Sequence, residues 1–386
     1  MSRGHIRQRG KDSWQLKFDA GRDPLTGNRR IEYVTFRGSK RSAQRELNRL
    51  LSEVDSKGYV PQQGTTVGEY ARRWLDEIAA QTVSPRTWQR YEELVEHHIT
   101  PHIGRCRIQD LDGSHIDSLY ARLRREGRRD GKGGLSETTV RHIHRVLALI
   151  VKSAIKARVI RVNPMEAVQA TPRNTKADIQ ILEDSEVSKL LGYLKGRALY
   201  PIVMVALGTG LRRGEVLGLR WKDVDLDRGQ LRVSQVIEQT KNSLRFKEPK
   251  TTQSRRTIRL PSSIIGILRD HRREQAAMRL KLGLGRGDND LVFSTWDGRV
   301  RKPNAVTRAF KDDATAAGLP HLTLHGLRHT HVSKLLANGV PVNVVAQRVG
   351  HANPTVTLNI YAHVMEGADD AAAAVFDTAL RKAIEE

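Results

Sequence analysis

A single cysteine, Cys106, in 386 residues excludes an internal disulfide framework and any zinc or iron–sulfur cage built from several thiolates. That thiol reads as a small packing residue. Long apolar runs are also missing. The longest, such as YPIVMVALG at 200–208, fall well short of the roughly 18–20 residues a spanning helix needs, so no membrane partner is expected. The N-terminal MSRGHIRQRGKDSW is charged with no apolar stretch behind it, which argues against a signal peptide and for a soluble, cytoplasmic protein. Acidic residues are scarce against basic ones, 43 to 66, leaving a net charge of +23 and a pI near 10.4. A fold this basic repels itself unless its working partner is a polyanion, and double-stranded DNA or RNA is the usual one. A generally basic solvated surface is the plainer alternative. Lipid headgroups fit less well, because no long helix pairs a basic face with a Trp/Phe/Leu face.

The length implies two or three domains, and the patterning divides the chain into residues 1–62, 66–170 and 178–386. In the first, WQLKFDA (14–20) and RRIEYVTF (29–36) alternate as strands do, and a helical repeat of Ala43, Leu47, Leu50, Leu51 and Val54 follows. A small three-stranded sheet backed by one helix is expected. Arg7, Arg9, Arg29, Arg30 and Arg37 stud it, and a basic β-ribbon can enter a major groove. From Val67 the pattern is helical: Val67, Tyr70, Trp74 and Ile78 form one stripe. Ser84-Pro85 is a helix start, with Trp88, Tyr91, Leu94 and Val95 behind it. Val140, Ile143, Val146, Leu147, Ile150, Val151 and Ile155 then repeat until Pro164. The third segment mixes helices at 183–195 and 199–208 with strands at 230–237, 243–248 and 255–261, then helices to an amphipathic tail carrying Ala373, Val375, Phe376 and Leu380. The chain therefore reads as multidomain and mainly α, with an α+β third domain.

LHGLRHTHVSKLL (324–336) puts His325 and His329 four apart on one helical face, the spacing of the two imidazoles in H-E-x-x-H zinc enzymes, but no general-base glutamate or third ligand accompanies them. His325 with Arg328, also on one face, suits a phosphate instead: a fixed cation beside a group that exchanges protons near neutrality. His329, His331 and His363 read as structural or solvent-facing. GTGLRRGEVLGLRW (208–221) places Arg212 at a helix start, where free N–H groups favour an anion. Arg213 beside it reads as a backbone contact to DNA or a surface charge. Lys250 falls in the turn between two strands, and RVGHANPTVTLNIYAHV (348–364) supplies His351 and Tyr361.

Together, TGLR at Arg212, the hairpin lysine Lys250, HGLRH at 325–329, Gly350-His351 and Tyr361 resemble the catalytic boxes of the tyrosine recombinase, or phage integrase, family. The motifs cover about residues 180–370. Val349 and Gly214 replace a commoner leucine and serine outside the catalytic positions. The resemblance implies the DNA breaking-rejoining fold, a helical core-site-binding domain at 66–170 and an arm-type DNA-binding domain at 1–62. It implies Tyr361 as nucleophile, Arg212 and Arg328 on the phosphate, Lys250 as general acid, His325 assisting proton transfer with the tyrosine, and His351 hydrogen-bonded to the phosphate. Glu215 matches the acidic position of the first box and is expected behind Arg212.

On this reading the chain is an integrase of a phage or integrative element, working without metal, cofactor or ATP in a bacterial cytoplasm. Its partners would be core-type and arm-type DNA sites, a homotetramer of itself on DNA, an excisionase or directionality factor, and a DNA-bending host protein. The alternatives are a type IB topoisomerase-like relaxing enzyme and a non-catalytic DNA-binding regulator on the same fold.

Overall fold

The structure, a computed structural model, describes residues 4–22, 27–56, 59, 64–173, 180–241, 243–249, 252–285, 287, 290–351 and 353–361, with scattered positions between 373 and 384. The expectations for Lys250, His363 and Val375 lie outside the described residues. Ala373, Phe376 and Leu380 are described, and all three are exposed. The chain divides into two compact units, Met1–Lys176 and Ala177–Glu386.

The first unit opens with an antiparallel sheet, β1 (Gly4–Gly10), β2 (Ser13–Arg22) and β3 (Arg29–Arg37), in that spatial order. The strand alternation decides its faces. Leu16 pairs with Ile6 and Val34, and this apolar side is covered by α1 (Lys40–Asp55) through Ala43, Leu47 and Leu50. The opposite side carries His5, Arg7, Lys17, Tyr33, Thr35 and Arg37, placed by the register Arg7–Gln15–Thr35 and His5–Lys17–Tyr33.

A separate apolar core follows. Here α2 (Val67–Trp74) runs through a π-helical turn into α3 (Ala80–Thr82), and α4 (Pro85–Leu94) through another into α5 (Thr100–Ile103). With α6 (Gly113–Glu126) and α7 (Glu137–Lys156) they form a bundle. Ser84 caps α4 with Pro85 in its first turn, and Ser136 caps α7, as short hydroxyl side chains do for unsatisfied N–H groups. The expected stripe fails at Ile78, which is 42% exposed. The π turn over Leu75–Ala79 inserts an extra residue, so Leu75 and Ala79 point inward in its place.

The second unit carries α8 (Asp184–Leu194), α9 (Tyr200–Thr209), α10 (Arg213–Leu217), strands β4 (Val224–Asp225), β5 (Gln230–Arg232), β6 (Val236–Gln239), β7 (Leu244–Lys247) and β8 (Thr257–Arg259), and then helices. These are α11 (Ser262–Lys281), α12 (Pro303–Ala316), α13 (Leu324–Ala337), α14 (Val342–Val349) and α15 (Pro354–Tyr361). The strand read over 230–237 is two: among the described residues β5 joins β4 and β8, whereas β6 pairs with β7. Strands β7 and β8 thus belong to different sheets. Helix α13 packs on α9 in the middle of this unit, and its buried Arg328 and Thr330 mark where the apolar core gives way to a polar site.

Candidate active site

Helix α14 ends at a glycine. Gly350 takes a left-handed conformation (φ 69°), which a side chain would resist, and a Cβ there would meet the Arg256 guanidinium at 2.8 Å. Its N–H bonds the Gln347 carbonyl and that of His351 the Ala346 carbonyl, the paired closure that ends many helices. The last carbonyls of α14 are left pointing outward, and three guanidiniums take them in succession. Arg256 Nε donates to the carbonyl of residue 348 at 2.6 Å, Arg328 Nη2 to that of 349 at 2.7 Å, and Arg212 Nη2 to that of 350 at 2.9 Å. Cations at a helix C-terminus also meet the negative end of its dipole. Arg328 Nη1 reaches the Gly210 carbonyl at 2.6 Å, at the left-handed turn (φ 66°) closing α9.

One buried carboxylate organises this cluster. Glu215, 3% exposed, accepts from Arg256 Nη2 at 2.9 Å, Arg256 Nη1 at 3.3 Å, Arg212 Nη1 at 3.0 Å and the Arg212 backbone N–H at 2.9 Å. Burial pushes its pKa up, but the Arg256 hydrogen bonds and charge, with those of Arg212, outweigh this and hold it below the usual carboxylate range. Glu215 therefore takes the backbone N–H that the sequence offered to an anion at the start of α10. Arg328 is pulled down to about 9 by burial first and by the Arg212 cation second. It stays protonated at neutral pH, which leaves a buried concentration of positive charge facing His325 and His351.

The histidines respond to that charge. His325 is exposed in part, yet the partial covering of its ring, then Arg328 and Arg212, lower its pKa. His351 falls to about 4 through burial and the same two cations, and its Nδ1 bonds Thr357 of α15 at 2.8 Å. Tyr361, at the end of α15, is 1% exposed among Val332, Leu336, Val345 and Val349. Burial raises its pKa to about 12. Its hydroxyl meets Nδ1 of His329 in a short hydrogen bond, and His329 in turn stacks edge-on against His325 with ring centroids 4.6 Å apart.

Arg212, Glu215, His325, Arg328 and His351 are thus brought to one place, with Tyr361 joined to them through His329. Two expectations need correction. His329 is not merely structural, since it holds the tyrosine hydroxyl, and that bond occupies one nitrogen of the imagined metal pair. Among the described residues no group of three His, Cys, Asp or Glu side chains converges to hold a metal. Arg213 is not a surface charge: it donates to the Pro303 carbonyl and the Thr307 hydroxyl, pinning α12. Of the sheet arginines, Arg29 and Arg30 are paired with Asp19 and Glu32 at 2.6 and 2.8 Å, and Arg9 with Gln15 at 2.7 Å, whereas Arg7 and Arg37 stand exposed on the face away from α1. Arg256 was not anticipated at all. Its only sequence signal is an arginine entering a strand.

His331 gives this unit a pH dependence. It is 8% exposed, its Nε2 accepts from Arg348 Nε at 3.1 Å, and burial followed by the Arg348 cation lowers its pKa from 6.5 to about 4. Between those values the unfolded chain binds the proton and the folded chain refuses it, so stability is full above about 6.5 and is lost as pH falls toward 4. We expect His331 to account for about 2–3 kcal/mol of that loss. Urea unfolding at pH 7 and 4.5 should show a smaller drop in His331→Gln than in the wild-type chain. Equal drops would remove His331 as the cause.

Residues 180–367 match the phage integrase family and residues 66–124 the N-terminal SAM-like domain of phage integrases. The chain belongs to the phage integrase family of tyrosine recombinases. An integrase-family relative, a tyrosine recombinase XerC-like protein of Caldanaerobacter subterraneus subsp. tengcongensis, is 29% identical over 92% of this chain and 93% of its own. The ICEBs1 integrase of Bacillus subtilis is 23% identical over 91% and 93%. Among solved structures, the Tn1549 transposon integrase in complex with a circular intermediate DNA superposes with a TM-score of 0.67 at 22% identity, over 81% of this chain and 99% of that one. A lambda integrase dimer bound to a COC′ core site gives 0.57 at 16% identity, over 93% and 94%. These two likenesses establish the fold shared by integrases. No helix among the described residues is long and apolar enough to cross a membrane.

Proposed function

We propose that the chain is a site-specific recombinase, the integrase of a phage or integrative element. It cleaves one DNA strand per active site through a 3′-phosphotyrosyl link and rejoins it to a partner strand, as a homotetramer on DNA. The observation that carries this reading is the convergence of Arg212 and Arg328 on adjacent carbonyls at the end of α14. As a nucleophile attacks a phosphodiester, negative charge grows on the non-bridging oxygens, and two fixed guanidiniums stabilise it without a metal. Tyr361 is the nucleophile. Because the ester bond energy is kept in the phosphotyrosine, rejoining needs no ATP. Lys250 protonates the leaving 5′ oxygen, His351 hydrogen-bonds the phosphate, and Glu215 orients Arg212. Arg256 and Arg348 line, with Arg255, Arg259 and His351, a groove of about 810 Å³ whose basic walls suit a DNA backbone.

The three-domain division supports an integrase over a relaxing enzyme. Residues 1–62 are the arm-type domain, 66–170 the core-site domain and 178–386 the catalytic domain, and relaxation requires no second DNA address. The outer face of the β1–β3 sheet, with Arg7 and Arg37, reads the arm site, while Arg9, Arg29 and Arg30 contribute less because each already holds a polar partner. Replacing Arg7 and Arg37 by alanine should weaken binding to arm-type duplex and lower the salt slope by about one per residue, sparing core-site cleavage. Unchanged arm-site affinity in a titration across salt would remove that face. A directionality factor and a DNA-bending host protein would set the reaction's sense.

The direct test is incubation of the full chain with a nicked core-site duplex in EDTA and without ATP. A covalent protein–DNA species surviving denaturation, with the DNA mapped to Tyr361, is expected. Its absence would favour a non-catalytic regulator.

A further inference from the structure

We propose that His329 is the residue that takes the Tyr361 proton during strand cleavage, a role the family resemblance gives to His325. This rests on the recombinase reading and refines it. The phenol hydroxyl already meets His329 Nδ1, with the two ring centroids 5.7 Å apart, while His325 touches that pair only through its ring edge and is itself exposed. For the phenol to donate, Nδ1 must be the unprotonated nitrogen. His329 is held in that neutral form: burial, His325 and Arg328 all disfavour its imidazolium and lower its pKa to about 4.

The groups facing His329 are few. Its own helix supplies His325 and Arg328 and α15 supplies Tyr361, while Arg348 of α14 is turned to His331. A phosphodiester seated beside Arg328 offsets the one fixed cation among the causes that weaken this base, so His329 becomes a better acceptor when DNA is in place. In the step itself the Tyr361 Oη–H bond breaks toward Nδ1, the Oη–P bond forms, and the P–O5′ bond breaks with the leaving oxygen taking a proton from the general acid. Rejoining returns the His329 proton to the tyrosine oxygen.

Single-turnover adduct formation on the nicked duplex, measured from pH 5 to 10 for the wild type, His329→Ala, His329→Gln and His325→Ala, tests this. His329→Ala should be about 10²-fold slower at neutral pH, with DNA binding retained and the rate recovering on added imidazole and at high pH. His329→Gln, which keeps an acceptor for the hydroxyl but cannot take a proton, should be as slow. A 5′-bridging phosphorothioate, whose sulfur leaves without a proton, should not restore either variant. Wild-type rates with an unchanged pH profile in both His329 variants would overturn the proposal. So would cleavage faster than wild type, which would make the contact a restraint, or rescue by the phosphorothioate, which would make His329 the acid. An absent wild-type adduct would strike the recombinase reading instead.

Discussion

Tyr361→Phe should stay folded and bound to core-site DNA while losing covalent strand cleavage by about 10⁴-fold or more, as expected when the attacking oxygen itself is removed. The ring makes its packing contacts with Val332, Leu336, Val345 and Val349, and phenylalanine keeps all of them. Only the hydroxyl bond to His329 is lost, a net contribution of about 1 kcal/mol. His329 is half-buried, so water can replace the missing partner. Stability and chemistry therefore separate in this variant. A gel-shift titration and a thermal melt should report near-wild-type behaviour beside an empty lane on a denaturing gel. A phenylalanine variant that still forms adduct would identify another nucleophile and end the assignment. The burial of the ring adds a second expectation to the same experiment: its oxygen must become reachable for a phosphate, so cleavage should depend on DNA engagement, and in the unbound protein Tyr361 should resist a phenol-modifying reagent that labels the exposed Tyr33.

The sequence made visible what depends on local spacing. Val140 through Val151 face the bundle core because a helix repeats its faces every 3.6 residues, and Ser84-Pro85 starts a helix because both residues suit its unsatisfied first turn. HGLRH could be read as one helical face for the same reason. What depends on chain distant in sequence stayed hidden. Arg256 meets Glu215 across 41 positions, and His329 meets Tyr361 across 32; no periodicity reports either pairing. Ile78 was placed inside because a π turn is invisible in an apolar pattern. The partition of β6 and β8 into different sheets escaped because strand propensity names strands and leaves their partners open. Motif resemblance filled part of this gap by naming Arg212, Arg328 and Tyr361 together, but it carried no sign that His329 is the ring in contact with the tyrosine hydroxyl.

Glu215→Ala should destabilise the second unit by about 3–5 kcal/mol, the range for breaking a buried ion pair from one side. Arg256 is 8% exposed and would keep its bonds to the carbonyls of residues 348 and 254 while losing its counter-charge. Its cation would then stand uncompensated beside those of Arg212 and Arg328. The cost is therefore that of an unpaired buried charge, larger than the pair's own net value. Because the Glu215 carboxyl is held below its usual range, its contribution is present above about pH 4.5 and fades as the pH falls through the lowered value, so the wild type and the alanine variant should converge in acid. Glu215→Gln should lose less, since an amide oxygen still accepts from one guanidinium. The informative companion is Glu215→Gln with Arg256→Met, which removes both charges and fills the volume. That pair should recover most of the stability, as apolar replacements of buried ion pairs often do. It should remain slow in cleavage, because the Arg212 guanidinium loses the acceptor that fixes its direction. A loss under 1 kcal/mol in Glu215→Ala, measured by urea unfolding at pH 7, would mean that the three guanidiniums are held by the carbonyls of α14 alone and that the carboxylate is incidental to the site.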